Sequence, residues 1–220
     1  MGKEMKIKTL LFDFDSTLVT IEGIDELARM KGKYQEVSQL TRLAMEGELA
    51  FEDVFYRRLE VIQPTGKDLD QLSELYQRSL VPDAITTIHR LREAGLDIGV
   101  VTGAYRQAIV STAKILGIEP EKVWALELTT DEAGFLTRVI PNGLRPTTSG
   151  KRDFIISHNF RRQLVYVGDA MTDVYTREVA DLFIGFGGVV ERRRVRQLAD
   201  NYVISLEEVG TIVLGINEEE

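Results

Sequence analysis

Three apolar runs along the chain each break off on a polar residue: KIKTLLFD at Asp13, LDIGVVT at Thr102 and QLVYVGD at Asp169. Runs this short and this rich in branched aliphatic residues predict buried strands. Briefer runs of the same kind lie at 123–128 (VWALEL), 182–186 (LFIGF) and 202–205 (YVIS). The intervals carry a helical period instead. ITTIHRLREAG (85–95) closes on Gly95, YRQAIVSTAKILG (105–117) closes on Gly117, and SGKRDFIISHNF (149–160) makes a third. A glycine just past the last apolar position is a common helix stop. Strands alternating with helices predict a parallel sheet with crossover helices. In VWALELTTDEAGFLTRVI (123–140), Asp131 and Gly134 between two strand-like runs predict a β-hairpin.

Residues 20–81 break this alternation. They show no strong strand signal and predict helices at 24–31, 33–46, 51–62 and 67–79, punctuated by Gly47 and the Pro64–Gly66 turn. The expected organisation is an α/β core domain formed by residues 1–19 and 82–220, with a helical cap domain, 20–81, inserted after the first strand.

Composition narrows the partners. Among 220 residues, 35 acidic against 27 basic side chains give a net charge of −8, which weighs against a nucleic-acid partner. The absence of cysteine excludes disulfides, thiolate catalysis and cysteine metal sites. No run approaches the ~20 apolar residues of a membrane helix, so a cytoplasmic protein without a membrane partner is expected, as monomer or homodimer. The charge run ERRRVR (191–196) is expected on a solvated helix face. His89, His158 and Trp124 fit surface or packing roles, and the glycines of GFGG (185–188) fit close packing.

The chemistry sits at the strand ends. Side chains alternate along a strand, so Asp13 and Asp15 share one face and Phe14 takes the other. Two neighbouring carboxylates persist where a cation neutralises them or one keeps its proton. Ligands of open α/β sheets bind beyond the carboxyl ends of the strands, so Asp13/Asp15, Thr102 and Asp169 are expected to converge. VVTGAY adds Gly103, suited to backbone approach to an oxyanion. VGDAMTD adds Asp173, and TTSGKRD puts Lys151 at the head of a helix whose dipole also favours an anion. Four carboxylates and one lysine sum to −3, too negative to accept a phosphate dianion unaided. A divalent cation with oxygen ligands corrects this, and Mg2+ suits a few carboxylates plus a substrate phosphate. An aspartate could then attack phosphorus and form an aspartyl phosphate.

DFDST, TGAY, SGK and GDAMTD, in this order, resemble the four motifs of the haloacid dehalogenase superfamily of phosphatases. EGIDELA (22–28), TRLAMEGELAFEDVFYRRLEVIQP (41–64), PTTSGK (146–151) and ADLFIGFGG (180–188) are similar to its phosphoserine phosphatases, and the resemblance runs from about residue 7 to 210. It implies a Rossmann-like core with a helical cap, and Mg2+-dependent hydrolysis of O-phospho-L-serine through an aspartyl phosphate, the last step of serine biosynthesis. It further implies Asp13 as nucleophile and metal ligand. Asp15 would be the acid/base and bind metal through its backbone carbonyl. Thr102, Gly103 and Lys151 would hold the phosphoryl oxygens, and Asp169 the metal, with Asp173 in support. Glu22 would take the substrate ammonium and Arg58 its carboxylate, with Met45, Glu46, Ala104 and Thr172 lining the pocket. A glutamate and an arginine match an amino acid phosphate on physical grounds too, since arginine grips carboxylates bidentately. TGAY and GDAMTD depart from the usual SGGF and GDG, with Ala104 and Ala170 in place of glycines. These departures leave open a phosphatase or phosphotransferase for another small phosphate ester. A phospho-accepting signalling domain is a third alternative, against which the paired aspartates and the insert speak.

Overall fold

The computed structural model describes residues 6–140, 143–161 and 163–218. Residues 1–5, 219 and 220 of the expected core domain lie outside these. The first strand, β1 (Thr9–Phe12), is followed by four helices: α1 (Gly23–Met30), α2 (Tyr34–Met45), α3 (Phe51–Ile62) and α4 (Gly66–Arg78). The alternation then begins with α5 (Ala84–Glu93), β2 (Asp97–Tyr105), α6 (Arg106–Ile115) and β3 (Val123–Leu126). A hairpin, β4 (Leu128–Thr130) and β5 (Leu136–Val139), comes next. After it follow α7 (Gly150–His158), β6 (Leu164–Gly168), the short α8 (Met171–Val174), β7 (Leu182–Phe186), α9 (Arg193–Leu198), β8 (Asn201–Val203) and α10 (Leu206–Glu218).

Six strands form one parallel sheet in the order β3-β2-β1-β6-β7-β8. β1 is central and buried along its whole length, as its unbroken apolar run requires. The order reverses there, with β2 on one flank and β6 on the other, so a crevice opens at the ends of these three strands. The run at 123–128 is divided, which corrects the hairpin expected over 123–140. β3 joins the parallel sheet at its edge, and only Leu128 onward pairs with β5. The helices begin and end within about two residues of their expected bounds, and Gly95 and Gly117 adopt φ of +84° and +75° at their stops.

The four-helix segment is stitched to the sheet at its base. Thr20 N donates to Ser79 O (2.7 Å) and Val81 N to Leu18 O (3.0 Å), so the entering and leaving chains run side by side. Buried residues of α3 recur at Phe51, Val54, Phe55, Arg58, Leu59 and Ile62, a single helical stripe. α4 starts at a capping box between Thr65 and Asp68 and packs on α6. The apolar faces of these helices and the sheet merge into one core. His158 stacks on Phe154 with ring centroids 3.7 Å apart, and His89 lies on the surface. A Cβ at Gly187 would overlap Tyr202, and at Gly188 Phe186, so these glycines serve close packing. Among the described residues, no helix is long and apolar enough to cross a membrane.

Candidate active site

The ladder between β1 and β6 runs one bond past β1, through Asp13 N to Val167 O at 2.8 Å. The chain then turns tightly. Ser16 takes a left-handed φ of +53°, and the Phe14 carbonyl accepts the N–H groups of Thr17, Leu18 and Val19. Strain of this kind in a non-glycine residue is found at functional sites. The turn sends Phe14 into the core, edge-on to Tyr76 at 5.0 Å. Asp13 and Asp15 face the crevice together. The alternation argument therefore holds, although both aspartates lie beyond the strand.

Lys151, in the first turn of α7, is buried and paired twice: its Nζ is 2.9 Å from Asp13 Oδ1 and 2.6 Å from Asp173 Oδ1. Burial pulls its pKa down, but the two carboxylates outweigh this and leave it raised. Asp173 is fixed further by Ala170 N (2.9 Å) and the Tyr166 hydroxyl (3.1 Å). A Cβ at Gly168 would overlap the Asp173 carboxylate, which accounts for the glycine before Asp169. The Thr102 hydroxyl accepts the Ala104 N–H at 3.2 Å, leaving its own proton free to donate. From the helical segment, Gly23 N donates to Asp15 Oδ2 at 3.0 Å. A Cβ at Gly23 would overlap the Tyr76 hydroxyl, so only glycine allows this approach.

One cavity gathers these groups. With about 60 Å³ open to water centres, it holds a few water-sized groups, the scale of a small metabolite. Asp13, Asp15, Thr102, Gly103, Ala104, Lys151, Asp169 and Thr172 line it from the core; Glu22, Met45 and Arg58 line it from the helical segment. Two expected site residues stand apart. Asp173 lies behind Lys151, fully buried. Glu46 does not reach the cavity: it follows Met45 at the end of α2, where its carboxylate pairs with Arg42 at 3.2 Å on the outer surface. Adjacent helical positions point about 100° apart, and at the end of α2 that step turns Glu46 out to Arg42 while Met45 faces the cavity.

Arg192 corrects the expectation for 191–196. Arg193, Arg194 and Arg196 are exposed, but Arg192 is buried. Its Nε donates to Asp169 Oδ2 at 3.0 Å and its Nη2 lies 3.6 Å from Glu22 Oε1, which also accepts the Ser16 hydroxyl at 2.7 Å. Arg192 precedes α9 in extended backbone, so the helix period does not govern its side chain. Five carboxylates against Lys151, Arg192 and Arg58 leave the site negative. Burial, reinforced by like charges, pushes Asp15, Asp169 and Asp173 up to about 7 and Glu22 up to about 8. Carboxylate oxygens of Asp13, Asp169 and Asp173 all lie within 4.8 Å of one another. Asp15 Oδ1 is buried without a hydrogen bond. This all-oxygen, over-negative cluster fits a hard divalent cation.

Arg58 is 2% exposed. Its Nη1 donates to Thr41 Oγ1 at 3.3 Å, Thr41 in turn donates to Asp25 at 2.7 Å, and its Nε has no partner. Phe51 and Phe55 complete the wall of α3, and Tyr76 and Tyr105 complete the cavity. Of these four, the sequence marks only Tyr105, as part of the TGAY departure. The α3 pair could have been found, because Phe51, Phe55 and Arg58 share one stripe; Arg192 left no such trace.

The family profile of haloacid dehalogenase-like hydrolases matches residues 7–181. The phosphoserine phosphatase of Mus musculus is 33% identical over 207 residues, spanning 90% of this chain and 89% of its own. A solved phospho-aspartyl intermediate analogue of phosphoserine phosphatase superposes with a TM-score of 0.79 at 28% identity, over 94% of this chain and 99% of its own. A substrate-bound phosphoserine phosphatase complex matches with the same TM-score, 0.79, at 27% identity and the same coverage.

Proposed function

The chain belongs to the haloacid dehalogenase-like hydrolase family, and from that premise we propose that it hydrolyses O-phospho-L-serine to L-serine and phosphate through a phosphoryl group carried on Asp13. One observation carries this above all: a single small cavity is lined by Asp13, Asp15, Thr102 and Lys151 from the core and by Glu22 and Arg58 from the helical segment. The first set suits a phosphate ester, the second an ammonium and a carboxylate.

In this mechanism an Asp13 oxygen attacks phosphorus and the bond from phosphorus to the serine oxygen breaks. Asp15, whose burial favours its protonated form, gives its proton to the departing oxygen. As a carboxylate it then takes a proton from water, whose oxygen attacks the same phosphorus and releases Asp13. Lys151, the Thr102 hydroxyl and the Gly103 backbone hold the phosphoryl oxygens, where donors fixed in advance act on the developing charge. Asp13, Asp169 and the Asp15 carbonyl would hold Mg2+, with Asp173 in support. The cation would supply the positive charge that lets a phosphate dianion enter so acidic a site. Glu22 takes the substrate ammonium and Arg58 its carboxylate, while Met45 and Thr172 fill the wall between. Residues 20–81 would act as a lid that excludes water while the phosphoryl group is transferred. Ala104 and Tyr105 reshape the floor of the site, which keeps another small phosphate ester as the second reading.

The test is phosphate release from L-phosphoserine with Mg2+ and then with EDTA, beside phosphothreonine, phosphoethanolamine and glycerol phosphate. Metal-dependent preference for phosphoserine is expected. Faster turnover of another ester would move the substrate and keep the chemistry; release undiminished by EDTA would remove the metal from it.

A further inference from the structure

Tyr105 ends β2 at the wall of the cavity and is 4% exposed. Its ring meets Phe55 edge-on, with centroids 6.4 Å apart, so it abuts the stripe of α3 that carries Arg58. Its hydroxyl makes no hydrogen bond with any described residue. Burial, offset by Arg58 and reinforced by Asp15, holds the phenol above its ordinary range, so it keeps its proton and acts as a donor. Asp15 accepts Gly23 N on Oδ2 and has the Tyr76 hydroxyl close by, while its Oδ1 makes no hydrogen bond. Arg58, whose charge acts on the Tyr105 hydroxyl, also has a donor to spare, because its Nε is buried and unpartnered. Buried polar groups are normally hydrogen-bonded, and a buried guanidinium N–H and the phenol beside it on the wall of one cavity suit an acceptor with two oxygens.

Resting on phosphoserine as the substrate, we infer that Tyr105 determines specificity by donating its hydroxyl proton to the substrate carboxylate beside Arg58. The site then selects phosphate esters of α-amino acids over the corresponding amine or alcohol esters. A site built to hydrogen-bond its substrate discriminates strongly, because the analogue leaves buried donors unpaired.

Tyr105→Phe removes the hydroxyl and keeps the ring on Phe55. The experiment compares kcat/KM for phosphoserine and for phosphoethanolamine, which lacks the carboxylate, in the unchanged protein and the variant. It adds competitive inhibition by L-serine and by inorganic phosphate. One hydrogen bond to a charged group predicts a loss of roughly tenfold to hundredfold for phosphoserine, with phosphoethanolamine changed less than about twofold. Inhibition by serine should weaken in parallel, and inhibition by phosphate should not. Equal losses on both esters would overturn the inference and place the hydroxyl at the reacting end with Asp15; no loss on either would overturn it as well. Failure of the unchanged protein to hydrolyse phosphoserine would instead remove the proposed function, and this inference with it.

Discussion

The two sides of the cavity treat buried polarity in opposite ways. Toward the strand ends, charges are tied to one another: Lys151 to Asp13 and Asp173, Asp173 to Tyr166 and Ala170, Asp169 to Arg192. Toward the helical segment, donors are left over: Arg58 Nε and the Tyr76 hydroxyl are buried without a partner, and Tyr105 abuts them from the end of β2. Charges tied in this way are held rigidly where charge will develop, with Asp15 Oδ1 the acceptor left open among them. Unfilled donors do nothing until a matching ligand arrives, which is how a site rejects the wrong one. On the proposed roles, chemistry belongs to the core residues and selectivity to those of the helical segment, and substitutions in each should leave different kinetic signatures.

The largest effect belongs to the strand-end side. Asp13→Asn keeps the shape of the side chain and removes the nucleophile, so turnover should fall by about 10⁴-fold or more on every ester while the fold survives. Phosphate release and a thermal melt measure both at once. Most of the activity surviving in Asp13→Asn would end the phosphoryl-aspartate route.

Arg58→Ala should break the symmetry between substrates. Loss of a buried charged donor to a carboxylate predicts a fall of roughly a hundredfold in kcat/KM for phosphoserine. An aryl phosphate, which has no carboxylate, should lose less than about fivefold. Equal losses on the two would take Arg58 out of recognition and return it to packing, against Phe51 at 5.2 Å and Thr41.

The same division explains what was legible in the sequence. The strand-end groups could be read because each follows an apolar run that stops abruptly, and a parallel sheet brings such stops together. Asp13, Asp15, Thr102 and Asp169 therefore assemble much as their spacing implies, and Lys151 joins them from the head of α7. The other wall is built from single positions on several helices, where the residue type alone says little. Met45 and Glu46 show the limit: both sit at the end of α2, and only the helix phase decides which one faces in. Arg192 was hidden by its neighbours, since one arginine in a run of them carries no mark of burial. Tyr105 was visible as a departure, but its unpaired hydroxyl depends on Phe55 and Arg58 arriving from another part of the chain. The hairpin was misjudged at one end because Val123–Leu126 satisfies a parallel edge as readily as an antiparallel pair.

The smallest effect reports on the strand-end side without its cation. Burial raises Asp15, Asp169 and Asp173 to about 7 and Glu22 to about 8, against about 4 in an unfolded chain. A raised carboxyl favours the folded state fully below its unfolded value, and that stability is lost as pH rises through the folded value. In EDTA the melting temperature should therefore fall between pH 5 and pH 8, by roughly 5 °C or more for a chain of this size. A divalent cation binds the ionised cluster and only in the folded state, so added Mg2+ should restore more at pH 8 than at pH 5. General charge repulsion also grows with pH in so acidic a chain, and Asp169→Asn separates the two causes. It removes one buried charge from the cluster and should flatten the EDTA profile, whereas repulsion spread over the surface would leave the slope unchanged. An unchanged slope in Asp169→Asn, with Mg2+ stabilising equally at both pH values, would show that the acidic cluster is not where the cation acts.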